Sequence, residues 1–198
     1  MFTKKILAFL TFSVISLSCL AKVHSIEPDI FVQSTVNRAA ETLSGNFTKD
    51  ERIEKLKEIA KDTVDINGIG FYTLGSYRKT INDDQIEQYK ILFEQYFLKS
   101  FASRLAEYSN PEIKVISKKK LSEKYTMVSS TLEGTDQRPG VKIDWRVYTK
   151  DPGNPLIRDL IIEGLSLART QQEEFSSIIE SNDGDINALF TTLRDFVK

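Results

Sequence analysis

One long helix in the middle of the chain does most to restrict the folds that are possible. The spacing of apolar residues predicts a helix from Asp83 to about Glu107, with Asn82 as its N-terminal cap. Two apolar stripes run along different faces of it. A helix that is apolar on two sides normally lies between two other layers, so we expect this one at the centre of the fold. The stripes are Ile86, Tyr89, Phe93, Tyr96, Phe97 and Phe101 on one face, and Ile91, Leu98 and Leu105 on the other.

After this helix the apolar period changes to two, which is typical of strands. The segment from Val141 to Thr149 is the clearest case, because apolar and polar residues alternate along it. Turns predicted at Gly134 to Gly140 and at Asp151 to Pro155 favour an antiparallel meander. The four predicted strands are Glu112 to Ser117, Lys124 to Leu132, Val141 to Thr149 and Leu156 to Glu163.

Helical patterns lie on both sides of these strands. Pro28 suits the first turn of a helix, and Thr48 with Glu51 forms a capping box at the start of the next. Gly68 and Gly70 weaken the prediction of the third helix. The class is α+β, with helices packed on one face of a curved sheet. Besides the long helix, the predicted helices run from Pro28 to Ser44, from Thr48 through Ala60, from Asp65 to Leu74, from about Thr170 to Glu180 and from Asp185 to Phe196.

The N-terminus has the three-part pattern of a secretory signal peptide. Lys4 and Lys5 precede the apolar run from Ile6 to Leu20, which is shorter than the roughly 20 residues a helix needs to span a bilayer. Small residues follow the apolar run, as they do before a cleavage site. We therefore predict a signal peptide over residues 1–25 and a single exported domain over 26–198.

Cleavage after Ser25 is favoured, and cleavage after Ala21 is the second possibility. An uncleaved membrane anchor and a lipoprotein modified at Cys19 are the alternatives. Loss of the signal peptide removes the only cysteine, Cys19, and the only histidine, His24. The exported chain then has neither a thiol nucleophile nor an imidazole base, so we expect a protein that is not an enzyme.

The charge of the exported chain is mildly negative. Three of the 27 basic residues (Lys4, Lys5 and Lys22) lie in the signal peptide, which leaves 24 against 28 acidic residues and a formal charge of −4. Proteins that bind nucleic acid usually carry a basic patch, so this class of partner is disfavoured. The remaining 173 residues (198 − 25) are enough to bury a core without disulfides.

The segment Gly164-Leu165-Ser166 shares part of its pattern with a nucleophile elbow. The second glycine of that motif is replaced by Ala168, and no histidine remains to activate the serine. A turn that follows a strand is the favoured interpretation.

Several charged residues allow a chemical role as well as a structural one. Asp144 with Arg146, and Asp159 with Glu163, lie on shared sides of two strands. Cross-strand charge pairs are the favoured interpretation, and acid–base catalysis is the alternative. Lys118-Lys119-Lys120 is expected at an exposed strand end, with docking to acidic membrane partners as the alternative. No metal site is expected.

The aromatic stripe of the long helix also has two interpretations. Residues at this spacing usually form an ordinary core. An apolar face on both the long helix and the sheet, in a chain without catalytic groups, is also what an apolar ligand site requires. Composition leaves both interpretations open.

Matching positions along the whole exported chain form a pattern known from one protein family. The most specific stretch is Asp159 to Leu167, followed by Glu174-Phe175 and Ile178-Ile179. The other matching positions are Leu74-Gly75, Tyr77-Arg78, Gln85, Tyr89, Phe93, Tyr96-Phe97, Val141 to Val147, and Gly184-Asp185-Ile186 with Leu189 and Leu193. On these residues the chain resembles the MlaC-type proteins, the auxiliary component of the toluene-tolerance ABC transporters.

The resemblance implies a nuclear-transport-factor-like cone, in which about four curved antiparallel strands and about six helices surround an apolar cavity. It also implies a soluble, monomeric periplasmic carrier of phospholipid, with the lipid as cargo and no cofactor. Such carriers exchange lipid between an outer-membrane MlaA-type lipoprotein complex and the MlaD-type component of an inner-membrane ABC transporter, which maintains outer-membrane lipid asymmetry. A binding module of the same fold for another apolar ligand, or an enzyme of that fold, is the alternative.

We predict that the apolar faces of the helices and of the sheet line one lipid cavity. The stripe of the long helix and the alternation of the strands each present a single apolar face to it. The predicted lipid-binding residues are Phe71, Leu74, Phe93, Phe97, Phe101, Val128, Ile143, Trp145, Val147, Leu160, Ile162 and Leu165.

Overall fold

The computed structural model describes residues 25–107, 111–134 and 139–198. The predicted signal peptide up to His24, including Cys19, and the middle of the turn predicted at Gly134 to Gly140 lie outside the described residues. Within the described part, the chain forms six α-helices, one short 3-10 helix and a five-stranded sheet. The predicted α+β class is confirmed. No helix in the described ranges has both the length and the apolar character that a membrane span requires.

The helices begin and end close to their predicted positions. The capping box at Thr48 forms: its hydroxyl accepts a hydrogen bond from the Glu51 amide, and the Glu51 carboxylate accepts one from the Thr48 amide. The fifth helix begins earlier than the predicted Thr170, because the Ser166 hydroxyl accepts a hydrogen bond from the Arg169 amide and caps it. The helices are α1 (Pro28–Ser44), α2 (Lys49–Thr63), α3 (Ile66–Thr73), the 3-10 helix (Tyr77–Lys79), α4 (Asp83–Leu105), α5 (Leu167–Glu180) and α6 (Ile186–Val197).

The two glycines of α3 allow it to approach its neighbours closely. A Cβ atom on Gly70 would lie 2.7 Å from Cδ1 of Phe93 in α4. A Cβ atom on Gly68 would lie 2.5 Å from Oδ2 of Asp65 and 2.9 Å from Nε of Arg158. A side chain at either position would have to displace Phe93, Asp65 or Arg158, so glycine suits both positions despite its low helix propensity.

The sheet is an antiparallel meander in the order β1-β2-β3-β4-β5. It has one strand more than predicted, because a tight turn at Glu163 and Gly164, both with positive φ, returns the chain as a fifth strand of two residues. The first strand also continues past the predicted end at Ser117 through Lys118-Lys119-Lys120, since exposed lysines are well tolerated on an edge strand. The strands are β1 (Ile113–Ser122), β2 (Tyr125–Leu132), β3 (Val141–Tyr148), β4 (Leu156–Ile162) and β5 (Leu165–Ser166).

The two faces of the sheet have different surroundings. We call the face that is buried in the hydrophobic core the covered face, and the opposite face the second face. On the covered face, Nε1 of Trp145 donates a hydrogen bond to Oγ of Ser130 at 2.8 Å, so the buried indole keeps a partner. A bulge at Arg158 in β4 changes the alternation there. The covered face carries Val128, Ile143, Trp145, Val147 and Ile157, and the second face carries Tyr125, Arg146, Tyr148, Arg158 and Asp159.

The long helix α4 packs against α2, α3 and α6. On its aromatic stripe, Tyr89 and Phe93 are buried against Phe175 of α5, and Tyr89 also packs against Phe190 of α6. Its second stripe is covered only in part, because Ile91 is 60% exposed. We expected both stripes to be covered by other layers. The expectation is confirmed for the buried part of the aromatic stripe and is wrong at Ile91, which lies on the solvent side of the helix.

Candidate functional site

An open cleft of about 830 Å³ lies where α3, the start of α5 and the second face of the sheet meet. The backbone attaches α3 to the sheet at this point: the Asp65 amide donates a hydrogen bond to the Ile157 carbonyl at 2.9 Å, and Val64 forms a parallel bridge with Ile157. The cleft is lined by Asp65, Asn67, Gly68, Phe71, Tyr72, Arg78, Lys90, Leu121, Ser122, Tyr125, Arg146, Arg158, Asp159 and Ala168.

Arg158 connects the helical wall of the cleft to the sheet. Its Nε donates a hydrogen bond to Oδ2 of Asp65 at 2.6 Å, and its Nη1 donates one to the hydroxyl of Tyr125 at 2.8 Å. Its guanidinium carbon lies 3.9 Å from the ring centroid of Tyr148, a cation–π distance. Burial disfavours its charge, but the hydrogen bonds with Asp65 and Tyr125 outweigh burial and raise the pKa of Arg158. This arginine is a fixed part of the wall.

Asp159 lies at the base of the cleft, and its side chain is only 2% exposed. Its Oδ2 accepts a hydrogen bond from Oγ of Ser166 at 2.6 Å, and its Oδ1 accepts one from the Ala168 amide at 3.0 Å. The positive end of α5 also favours a carboxylate here. Nη1 of Arg146 on the neighbouring strand lies 3.7 Å from Oδ2, which confirms the cross-strand charge pair predicted for this face. Asp159 therefore holds the start of α5 in place.

Three apolar side chains remain open to solvent at the cleft. Phe71 and Tyr72 of α3 are 40% and 41% exposed, and Leu121 of β1 is 47% exposed. Exposed large apolar groups are ordinary when they are scattered, but these three line one concavity. They give the cleft an apolar wall.

Positive charge exceeds negative charge in the cleft. Arg78, Lys90, Arg146 and Arg158 face two carboxylates, those of Asp65 and Asp159. The excess is local, because the chain as a whole has a formal charge of −1. Apolar and cationic side chains in one cleft suit a ligand with an apolar part and an anionic part.

Metal binding has no candidate in the described ranges, where no group of three or more His, Cys, Asp or Glu side chains could hold an ion. Asp185 accepts a hydrogen bond from the Asn187 amide and caps α6.

The structure places most of the predicted lipid-binding residues together in the main hydrophobic core. Phe71 lies outside that core and lines the cleft. Ile162 is half-buried at the end of β4, and Leu165 is 59% exposed on β5. The lining of a lipid cavity stays a prediction for all twelve residues, including the nine that lie in or against the core. Of these, Leu74, Phe93, Val128, Ile143, Trp145 and Val147 are buried in the core, while Phe97, Phe101 and Leu160 pack at its edge.

Comparison with known families assigns this fold. The family model described as MlaC protein matches residues 32–195, a range that contains every residue lining the cleft. The chain belongs to the MlaC family. The resemblance seen in the sequence is thereby confirmed.

A solved structure has the same fold as this MlaC family member. It is a phospholipid-binding protein from Ralstonia solanacearum, determined in complex with a phospholipid. The two chains align with a TM-score of 0.73 and 19% sequence identity, over 87% of this chain and 97% of the other. The likeness confirms the α+β architecture of the MlaC family member described here.

Sequence reasoning about this MlaC chain missed most of the cleft. The alternation of β3 places Arg146 on the polar side of the strand, which is equally typical of a solvated face. Asp65 and Arg158 are 93 positions apart, so no local pattern joins them. The usable signals were Asp65 directly before a helix with two glycines, and a predicted charge pair at Asp159.

Proposed function

We propose that this protein is a periplasmic carrier that binds phospholipid in the cleft and releases it to another membrane. The observation that carries the proposal is the composition of the cleft, in which an apolar wall of Phe71, Tyr72 and Leu121 adjoins an excess of cations. Phospholipid has the complementary composition, with acyl tails joined to an anionic phosphate. Membership of the MlaC family and the fold shared with a phospholipid-binding protein support the same conclusion.

The acyl tails set the free energy of apolar burial that such a site must provide. Each methylene exposed to water costs about 0.8 kcal/mol, so an acyl chain of about 15 methylenes needs on the order of 12 kcal/mol of compensation. The exposed apolar wall of the cleft supplies only a part of it. We therefore propose that the tails continue from Phe71 toward the predicted apolar lining, beginning with Leu74 and Phe93, which are buried in the core.

The proposal places the carrier between the two membranes of a Gram-negative cell. Its support is the signal-peptide pattern of residues 1–25 together with the family. The donor and acceptor are then an MlaA-type complex in the outer membrane and an MlaD-type component of an inner-membrane ABC transporter, with maintenance of outer-membrane lipid asymmetry as the result. The carrier works as a monomer and makes or breaks no covalent bond in its cargo.

Transfer between two vesicle populations tests this function. Adding the protein to donor vesicles that contain a fluorescent phospholipid and to unlabelled acceptors is expected to raise the transfer rate in proportion to protein concentration. Thin-layer chromatography of the lipid afterwards is expected to show the phospholipid intact. Equal transfer rates with and without the protein would contradict a carrier. Conversion of the lipid to a new species would indicate an enzyme. Transfer of a sterol but not of phospholipid would indicate a binding module for another apolar ligand.

A further inference from the structure

Arg146 has an unusual position among the cations of the cleft. It lies within β3, the central strand of the sheet, with Met127 opposite on one side and Asp159 on the other. The pairing of β3 with a strand on each side therefore holds its backbone in the sheet. Its side chain is nevertheless 41% exposed and lines the cleft.

The donors of Arg146 are not used by the part of the protein that the structure describes. The nearest carboxylate oxygen, Oδ2 of Asp159, is 3.7 Å from its Nη1, which is beyond hydrogen-bond distance. That carboxylate already accepts hydrogen bonds from Ser166 and from the Ala168 amide. Within the described ranges the Arg146 guanidinium makes no other ion pair or hydrogen bond, so its planar set of donors is free to bind an acceptor in the cleft.

The other cations differ in this respect. Arg158 is held by Asp65, Tyr125 and Tyr148, as described above. Lys90 forms an ion pair with Glu87 on the preceding turn of α4, at 2.6 Å. Of the cations that line the cleft, Arg78 on the 3-10 helix is the one without an ion pair to any residue in the described ranges.

We propose that Arg146 binds the phosphate of the phospholipid headgroup, with Arg78 as a second cation at the same group. This inference rests on the proposed function and names the part of the ligand that the cleft recognises. A guanidinium presents two parallel N–H donors that match two oxygens of a phosphate, and such charged hydrogen bonds are stronger than neutral ones. The site then selects lipids by their phosphate. Diacylglycerol and fatty alcohol, which have no phosphate, bind less well than phospholipid.

Competitive loading tests the proposal. The protein is incubated with vesicles that contain equal amounts of phosphatidylglycerol and diacylglycerol of the same acyl chains, separated from them, and its bound lipid is measured by mass spectrometry. The parent protein is expected to load phosphatidylglycerol in preference. Arg146→Gln is expected to reduce phosphatidylglycerol loading about tenfold or more, the loss typical of a hydrogen bond to a charged group, and to remove the preference.

Two further variants serve as controls. Arg146→Lys keeps the charge beside Asp159 but removes the planar donors, and we expect it to lose part of the preference while the protein stays folded. Arg38→Gln removes an exposed arginine of α1 that pairs with Asp62 away from the cleft, and we expect parental loading. Melting curves of all the variants are compared, and the Lys variant decides the test if the Gln variant does not fold.

The outcomes separate this inference from the proposed function. A parent protein that loads neither lipid contradicts the carrier function, and the inference fails with it. A parent that loads both lipids equally, or an Arg146→Gln protein that keeps the parental preference, overturns the inference alone. Calorimetry with inorganic phosphate separates the source of the phosphate: if free phosphate binds through Arg146 while phosphatidylglycerol loading is unaffected by Arg146→Gln, the site serves free phosphate and the inference is wrong.

Discussion

Phe71→Asp is expected to reduce the phospholipid bound to the purified protein by about tenfold or more. Phe71 lines the cleft and is already 40% exposed, so a carboxylate there meets water in the ligand-free protein and leaves the core intact. A bound acyl tail would cover that carboxylate. An ion buried without a partner costs several kcal/mol or must take up a proton, and 1.4 kcal/mol corresponds to a factor of ten in occupancy.

Ile91→Asp is the matched control for this change. It introduces the same charge at an exposed apolar residue, since Ile91 is 60% exposed on α4 and does not line the cleft. Both variants are expected to keep the melting temperature within a few degrees of the parent, and only Phe71→Asp is expected to lose lipid. Equal lipid occupancy in the two variants, measured after solvent extraction, would show that the cleft does not hold the tails.

Asp159→Ala is expected to lower the free energy of unfolding by about 3 kcal/mol. The carboxylate is the acceptor for both the Ser166 hydroxyl and the Ala168 amide, and alanine leaves both donors without it at the start of α5. It also leaves Arg146 without its nearest opposite charge. Urea denaturation followed by far-UV circular dichroism measures the change through the shift of the midpoint.

Asp62→Ala provides the comparison for Asp159→Ala. Asp62 also pairs with an arginine, Arg38 at 2.8 Å, but its side chain is 61% exposed. An exposed ion pair of this kind contributes at most about 1 kcal/mol, so the Asp62 variant is expected to unfold close to the parental midpoint. If Asp159→Ala is no less stable than Asp62→Ala, then the Asp159 carboxylate does not hold α5.

Local signals predicted most of the secondary structure. The capping box of Thr48 and Glu51 and the alternation from Val141 to Tyr148 are each determined by residues close together in the chain, and both appear as predicted. The two-residue strand β5 was missed because it consists of Leu165 and Ser166, too few residues to show a period. It depends instead on the positive φ angles at Glu163 and Gly164.

The cleft was harder to predict because it is formed by side chains that are distant in sequence. Arg146 and Asp159 were recognised as polar residues on one side of the sheet, yet nothing local distinguishes a solvated face from one that α3 partly covers. The attachment of α3 to that face depends on Asp65 and Arg158, which meet only in the folded chain. Apolar residues such as Val147 were predicted to line a cavity because they point inward. Residues of an ordinary core point inward as well, so the sequence pattern does not separate the two.

The lipid content of the protein itself tests the carrier function most directly. The protein is purified after export, without added lipid, extracted with organic solvent and analysed by mass spectrometry against a mock purification. A carrier is expected to yield glycerophospholipid in a fixed molar ratio to protein, with intact acyl chains. Absence of lipid above the mock purification, or recovery of an apolar molecule without a phosphate, would contradict a phospholipid carrier.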